Sequence, residues 1–191
     1  MYELLVLSLL MRWPLHAYRI AKIANEIIGP EERVSKGTLS ALLAKLEAAG
    51  IIQLAAADSG PFPGDRPSRV LAITPAGRER FVELMLDTAS RPGSYRGLFH
   101  IKALHLELLP AEQQVFLVEH YLAHCRQILQ AKKIDRQDMT GDPRKQQHMP
   151  PQFHQAALRY MRLKLDQWQL ELDWAESLRS EVLARLTQAE V

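Results

Sequence analysis

Few residues in this chain stand at spacings that suggest chemistry, and those that do point to binding more than to bond-breaking. His120 and His124 are one helical turn apart, the i, i+4 spacing at which two imidazoles can share a metal ion. Cys125 follows directly but projects roughly a quarter-turn away, and His100 and His105 lack that spacing. No ligand set is completed, so neither a metal nor a cofactor is expected, and the pair reads as plain polar residues or as part of a subunit contact. No nucleophile–base pairing, phosphate-cradling glycine loop or acid pair occurs at a recognisable spacing, so the chain does not read as an enzyme. What remains is a set of cations and hydroxyls within residues 34–74: Ser35, Lys36, Thr38, Ser40 and Lys45, then Arg66 and Arg69 on a Gly/Pro-rich stretch. Such groups contact phosphates and base edges of double-stranded DNA.

The elements that must carry them are legible around these residues. Ser35 is a good N-cap, and Leu39, Leu42, Leu43 and Leu46 recur at i, i+3, i+4, i+7, so a helix with one buried face runs to Gly50. Its other face, Gly37, Ala41, Ala44 and Ala48, is small and bare, suited to close approach to a groove and poor in bidentate base contacts. Residues 51–56 and 69–73 read as strands of a hairpin whose tip carries Arg66 and Arg69. Thr74 followed by Pro75 restarts a helix, to about Thr88. A helix followed by an arginine-tipped hairpin is the layout of a winged helix-turn-helix, in which the helix enters a groove and the wing holds the backbone beside it.

Ahead of that stretch, residues 4–11 form a helix apolar nearly all round, hence buried. Trp13-Pro14 breaks it, and residues 15–28 resume a helical pattern with Tyr18, Ile20, Ile23 and Ile27 as the inner stripe. Trp13 is expected to pack at the turn. Tyr18 belongs either to the core or, through its hydroxyl, to a phosphate contact.

Residues 89–97 read as a linker, so the chain divides into a domain at 1–90 and another at 91–191. The second is helical by pattern: 98–109, then 111 to about 134, a polar loop over 135–151, and a long helix from about 152 to 187. Leu158, Met161, Leu165, Trp168, Leu172, Ala175, Val182 and Leu186 trace a heptad seam along that last helix. A seam of this length fits a homodimer contact, which would present two reading heads to paired half-sites; a helix folded back on its own domain is the other reading. The fold class is therefore mainly α with a small β-hairpin wing: an N-terminal winged helix-turn-helix and a C-terminal α-helical dimerisation domain.

Composition permits this. Over 191 residues, 47% are hydrophobic and 24% charged, enough for a packed core. The net charge of +2 means that DNA affinity must come from local placement of charge. A single cysteine excludes an intrachain disulfide and a Cys-based zinc finger. The opening apolar run has Glu3 where a signal peptide has a basic residue, and Arg12 with Pro14 ends it too early to span a bilayer. The reading is cytoplasmic, without membrane partners.

The same residues resemble the PadR family of bacterial transcriptional regulators. P-L-H-A-Y-R-I at 14–20 is similar to the family's P-L-H-G-Y-E-I, and S-K-G-T-L-S-A-L-L-A-K-L-E-A-A-G-I-I is similar to its S-P-G-T-L-Y-P-A-L-R-R-L-E-E-x-G-L-I. Gly64-Asp65-Arg66-Pro67 and Ile73-Thr74-Pro75-Ala76-Gly77-Arg78 resemble its wing tip and its L-T-x-x-G-R signature. The resemblance covers residues 4–86. Ser40 stands where the family has tyrosine, Lys36 where proline is common and Ala17 where glycine is found. The resemblance implies a dimeric regulator, usually a repressor, that leaves its operator when a small-molecule effector binds. In some members aromatic planes between dimer helices sandwich flat ligands, a role open to Trp168 and Trp174, although the seam position of Trp168 favours core. The alternative function is a winged-helix module for protein or ligand binding without sequence-specific DNA recognition.

Overall fold

The computed structural model describes residues 1–30, 33–56, 59, 69–89 and 92–189. Two compact units divide the chain, Met1–Leu109 and Pro110–Val191. Mainly helical architecture with one small antiparallel sheet agrees with the fold class read from the sequence.

In the first unit, α1 (Tyr2–Arg12) buries Leu4, Leu5, Leu7 and Leu10, as expected of a helix apolar on every side. Ser8 is buried too, and its hydroxyl donates to the Leu4 carbonyl at 2.7 Å, which satisfies it inside the helix. The sequence reading has one helix over 15–28; instead Leu15–His16 forms a short strand, β1, and α2 is Ala17–Ile28. Pro14 biases the chain before it to extended backbone, and Leu15 and His16 find ladder partners in Leu71 and Val70. Of the stripe expected on α2, Ile20 is buried and Tyr18 is 46% exposed, so Tyr18 is not core. Trp13 is likewise 44% exposed at its turn.

Helix α3 (Lys36–Ala48) starts at the Ser35 cap and is followed by Gly50 at φ +71, a left-handed position that glycine occupies without strain. Strands β2 (Ile52–Ala55) and β3 (Val70–Ile73) pair antiparallel, Ile52 opposite Ile73 and Ala55 opposite Val70. The sheet order is β1-β3-β2, so β3 is central and its Val70, Leu71 and Ile73 are buried. Helix α4 (Pro75–Leu86) begins where Thr74 Oγ1 accepts from the Gly77 N–H at 3.1 Å. The same hydroxyl lies 2.7 Å from the Gly50 carbonyl oxygen and 2.9 Å from that of Ile51, which ties the start of α4 to the end of the α3 turn. Glu3 and Arg80 form an ion pair at 2.8 Å between α1 and α4.

Two stretches read as irregular are helical. Residues 89–97, read as a linker, include the start of α5 (Pro92–Ala103), with proline in its first position, and the first unit extends to Leu109. Buried Tyr95, Phe99, Ile101 and Leu106 belong to that unit's core, and Lys102 Nζ donates to the Asp87 carbonyl at 2.6 Å. A single 3₁₀ turn (Leu106–Leu108) follows α5 where one helix over 98–109 was expected.

In the second unit, α6 runs Ala111–Gly141 and the short α7 Pro143–His148, across most of the stretch read as a polar loop. Polarity there marks a solvated helix surface: α7 is capped by the Asp142 side chain, which accepts from the Arg144 N–H at 2.9 Å. Helix α8 (Pro151–Ala189) packs along α6. The seam Leu158, Met161, Leu165, Trp168, Leu172, Ala175, Val182 and Leu186 is the face turned to α6, with Leu172, Ala175 and Val182 buried and the other members half-buried. Tyr121 donates to Glu171 Oε1 at 2.6 Å, Arg126 pairs with Glu176 at 3.1 Å, and Arg179 pairs with Glu119. The heptad signal is thus met within the chain, by the fold-back that was the second reading of it.

Candidate nucleic-acid interface

The exposed face of α3 is set by its cap and by its leucines. Ser35 Oγ accepts from the Thr38 N–H at 3.1 Å, and the two hydroxyl oxygens lie 2.9 Å apart. With Leu39, Leu43 and Leu46 turned into the core, Lys36, Gly37, Thr38, Ser40, Ala41, Ala44, Lys45 and Ala48 are all exposed. One continuous surface results, almost without side-chain bulk, with a cation near each end at Lys36 and Lys45. The Thr38 hydroxyl is engaged with the cap, so it presents a methyl and one remaining polar site outward.

The entry to α3 is held by Asn25. Its side chain accepts from the Val34 N–H at 2.8 Å and donates to the Val34 carbonyl at 3.3 Å, a two-point clamp from α2. Around that clamp a cleft of about 600 Å³ is lined by Lys22, Asn25, Glu26, Arg33 and Lys36, among others. Lys22 and Arg33 were not singled out from the sequence. Their convergence depends on the turn between α2 and α3, which periodicity does not specify.

On α2, Tyr18 is exposed, its ring centroid 5.7 Å from the Arg19 guanidinium and 5.7 Å from the His16 ring. Arg19 Nε also donates to the Tyr18 hydroxyl at 3.2 Å. Arg19 is thus a cation beside the tyrosine, at a position that helical periodicity marks only as outside the core stripe.

At the wing, Arg66 lies outside the described residues. Arg69 lies at the foot of β3 rather than at a tip, and its guanidinium is paired with the Glu47 carboxylate in the last turn of α3. The Arg69 carbonyl accepts from the Ala17 N–H at 3.2 Å, which joins the wing to the start of α2. The pairing partner Glu47 was not anticipated, because it sits 22 positions away and across the hairpin.

In the second unit the histidine pair diverges into ring contacts. His124 lies 6.1 Å from Tyr121 and 5.8 Å from Trp168, and His120 lies 6.2 Å from Phe116. Burial, with a smaller contribution from the charge of His120, lowers the His124 pKa, which favours neutral imidazole. Trp168 is half-buried and Trp174 meets Tyr121 edge-on at 6.3 Å. Among the described residues no group of three or more His, Cys, Asp or Glu is placed to hold a metal ion, and no helix is long and apolar enough to cross a membrane.

No curated protein sequence matches the chain. Among solved structures, the chain is similar to Bacillus subtilis PadR in complex with operator DNA, at 17% identity and a TM-score of 0.41, covering 94% of this chain and 98% of that one. It is similar to the same protein in complex with p-coumaric acid (18%, TM-score 0.39, 94% and 97%). It is also similar to the Vibrio cholerae virulence activator AphA (18%, TM-score 0.40, 97% and 99%). Residues 6–83 match the model of the "Transcriptional regulator PadR-like family", a span that takes in the winged helix-turn-helix from α1 into α4. Over this N-terminal span the chain is similar to the PadR-like family of transcriptional regulators.

Proposed function

We propose that this protein is a homodimeric, sequence-specific DNA-binding regulator acting on a pseudo-palindromic operator. The observation that carries this reading is the continuous exposed face of α3, capped at Ser35, flanked by Lys36 and Lys45 and free of bulky side chains. Such a face can lie deep in a major groove, where alanine methyls meet thymine methyls and the lysines meet phosphates. Ser35, Lys36, Thr38 and Ser40 face the groove; Lys45, Tyr18 and the wing residues Arg66 and Arg69 meet the backbone. The division read at residue 90 separates this reading head in function, with α5 onward serving dimerisation and effector response. The repressor sense, and release by a small-molecule effector, follow the family.

The bare α3 face and the Arg69–Glu47 pair also favour a second reading, a winged-helix module that binds a protein or ligand without sequence-specific DNA recognition. Selection of bound sequences from random DNA at moderate salt separates the two. DNA binding predicts enrichment of a motif with two half-sites. Retention of DNA only at very low salt, without sequence preference, overturns it in favour of the module.

A further inference from the structure

Among the described residues of the first unit, only the His105 side chain has buried polar atoms without a hydrogen-bond partner, and both of its ring nitrogens are so placed. The residue follows α5 and opens the 3₁₀ turn Leu106–Leu108; it is 4% exposed and flanked by buried Leu106 and Leu109. Its backbone is bonded on both sides, the N–H donating to the Lys102 carbonyl at 2.9 Å and the carbonyl accepting from the Leu108 N–H at 3.1 Å. Its side chain is not. A neutral imidazole carries one donor and one acceptor, and both are unmet here, where a leucine would leave neither. Buried polar groups without partners are rare in folded proteins, so a histidine kept at this position calls for a role. We propose that His105 is an acid-operated release for the turn that ends the first unit: on taking up a proton its ring leaves the core for water, and residues 104–109 come away from the end of α1 with it.

The surroundings are arranged against the charged ring. Among the described residues Glu107, in the same turn, is the carboxylate that acts on it, and Glu107 is already paired with Arg12 at the end of α1. Arg12 brings a cation toward the imidazole, and Arg78 of α4, 3.7 Å from the Met11 sulfur, adds another at that end of α1. Lys102, one turn back on α5, directs its ammonium to the Asp87 carbonyl at 2.6 Å. Burial first, and the Arg12 charge after it, hold the His105 pKa below its ordinary value, with Glu107 opposing in part. Once the turn is open, the ring titrates at about 6.5 like any solvated histidine. As pH falls through that value the open form takes up a proton that the closed form refuses. The closed turn is therefore fully favoured above it and loses ground below it. Helix α6 begins at Ala111, so opening makes residues 104–110 a slack connection in the chain between the two units.

The test is amide hydrogen exchange of the full chain at about pH 7.5 and about pH 5.5, each rate divided by the intrinsic rate at the same pH. The Leu108 and Leu109 amides, bonded to the His105 and Leu106 carbonyls, report the turn, and the amides of α4 serve as reference. In wild type, protection of the turn falls about tenfold at the lower pH, the gain of an imidazole of pKa about 6.5 over one that stays neutral one pH unit below it. The α4 amides keep their protection. His105→Leu and His105→Gln, neither of which titrates, hold the turn equally protected at both values; two variants are made so that one misfolding does not remove the comparison. Unchanged protection in wild type overturns the proposal. An equal fall in a folded variant overturns it as well and assigns the proton to another group. A fall shared by α4 replaces local release with acid unfolding of the whole first unit and overturns it too.

Discussion

Arg69 at the foot of the wing and Glu47 in the last turn of α3 are joined as an ion pair, so the residue expected to grip DNA is also a strut between hairpin and helix. Both side chains retain solvent contact, at 59% and 29%, so the pair stabilises the fold by no more than about 1 kcal/mol. Its larger consequence is electrostatic. Each Arg69 charge that Glu47 compensates is lost to a phosphate, which would otherwise displace a counterion.

Glu47→Gln is therefore expected to tighten DNA binding of every sequence and to steepen the dependence of affinity on salt by roughly one unit of log–log slope per subunit. Arg69→Ala is expected to do neither of these and, if Arg69 reaches phosphate, to flatten the slope by a similar amount. Titrations of each variant from about 50 to 200 mM salt read both effects. A slope unchanged in both variants removes Arg69 from the interface and leaves it the strut alone.

How far the sequence could be read follows from the range of the interactions involved. The cap at Ser35, the buried face of α3 and the Thr74-Pro75 start of α4 are local, and each is where its motif puts it. Strand β1 is missed because Leu15 and His16 owe their conformation to Leu71 and Val70, more than fifty residues on. Residues 135–141 and 143–148 read as loop because their composition is polar, yet a capped, charged helix needs no apolar stripe when one side stays wet. The heptad on α8 was recognisable as a seam, but a repeat specifies an apolar face and not which helix meets it, and α6 of the same chain does. Glu47 and Arg33 enter the candidate interface only once the hairpin and the α2–α3 turn are built.

Gly77 tests the frame that holds the reading helix to the wing. A Cβ added there would stand 2.2 Å from the Ile51 carbonyl oxygen and 2.6 Å from Ile73 Cγ1. The nearer atom is backbone, fixed by the Thr74 N–H donating to it at 3.1 Å, so it cannot yield as a side-chain tip would. Gly77→Ala should destabilise the first unit by about 2–3 kcal/mol, the cost of forced overpacking, despite the better helix propensity of alanine. Urea denaturation followed by circular dichroism measures it, and a neutral or stabilising result would show that the start of α4 sits further from β2.

In the second unit the Tyr121–Glu171 bond is the one to break. Glu171 is 6% exposed and Tyr121 fully buried, so the hydroxyl and carboxylate replace one another's water. Burial, reinforced by the Glu171 carboxylate, raises the tyrosine pKa far above its ordinary value and keeps the proton on the phenol as donor. Tyr121→Phe leaves a buried carboxylate short of a partner and is expected to cost about 1–3 kcal/mol. Glu171→Gln keeps an acceptor for the hydroxyl and should cost less. Equal losses in the two variants would show that the charge of Glu171, not its hydrogen bond, is what the helix pair depends on.

Lys102 makes the stability of the first unit depend on alkaline pH. Its side chain is fully buried, its ammonium donates to the Asp87 carbonyl at 2.6 Å, and burial lowers its pKa to about 8, partly offset by the Asp87 charge. In the unfolded chain lysine keeps its proton to about pH 10.4. Between these values the unfolded state holds a proton that the folded state has released, so stability rises with pH across that window and is flat below it. The full span amounts to roughly 3 kcal/mol, at about 1.4 kcal/mol for each pH unit of separation. The Met1 amine, lowered from 8.0 chiefly by its burial, acts in the same direction but below pH 8, and Tyr121 acts in the opposite direction only above about pH 10. The urea midpoint of wild type should therefore climb from pH 8 to 9.5, while that of Lys102→Met, which fills the same space without a titrating group, should stay level. Parallel climbs in the two proteins would assign the proton release to another group and return Lys102 to an ordinary solvated lysine.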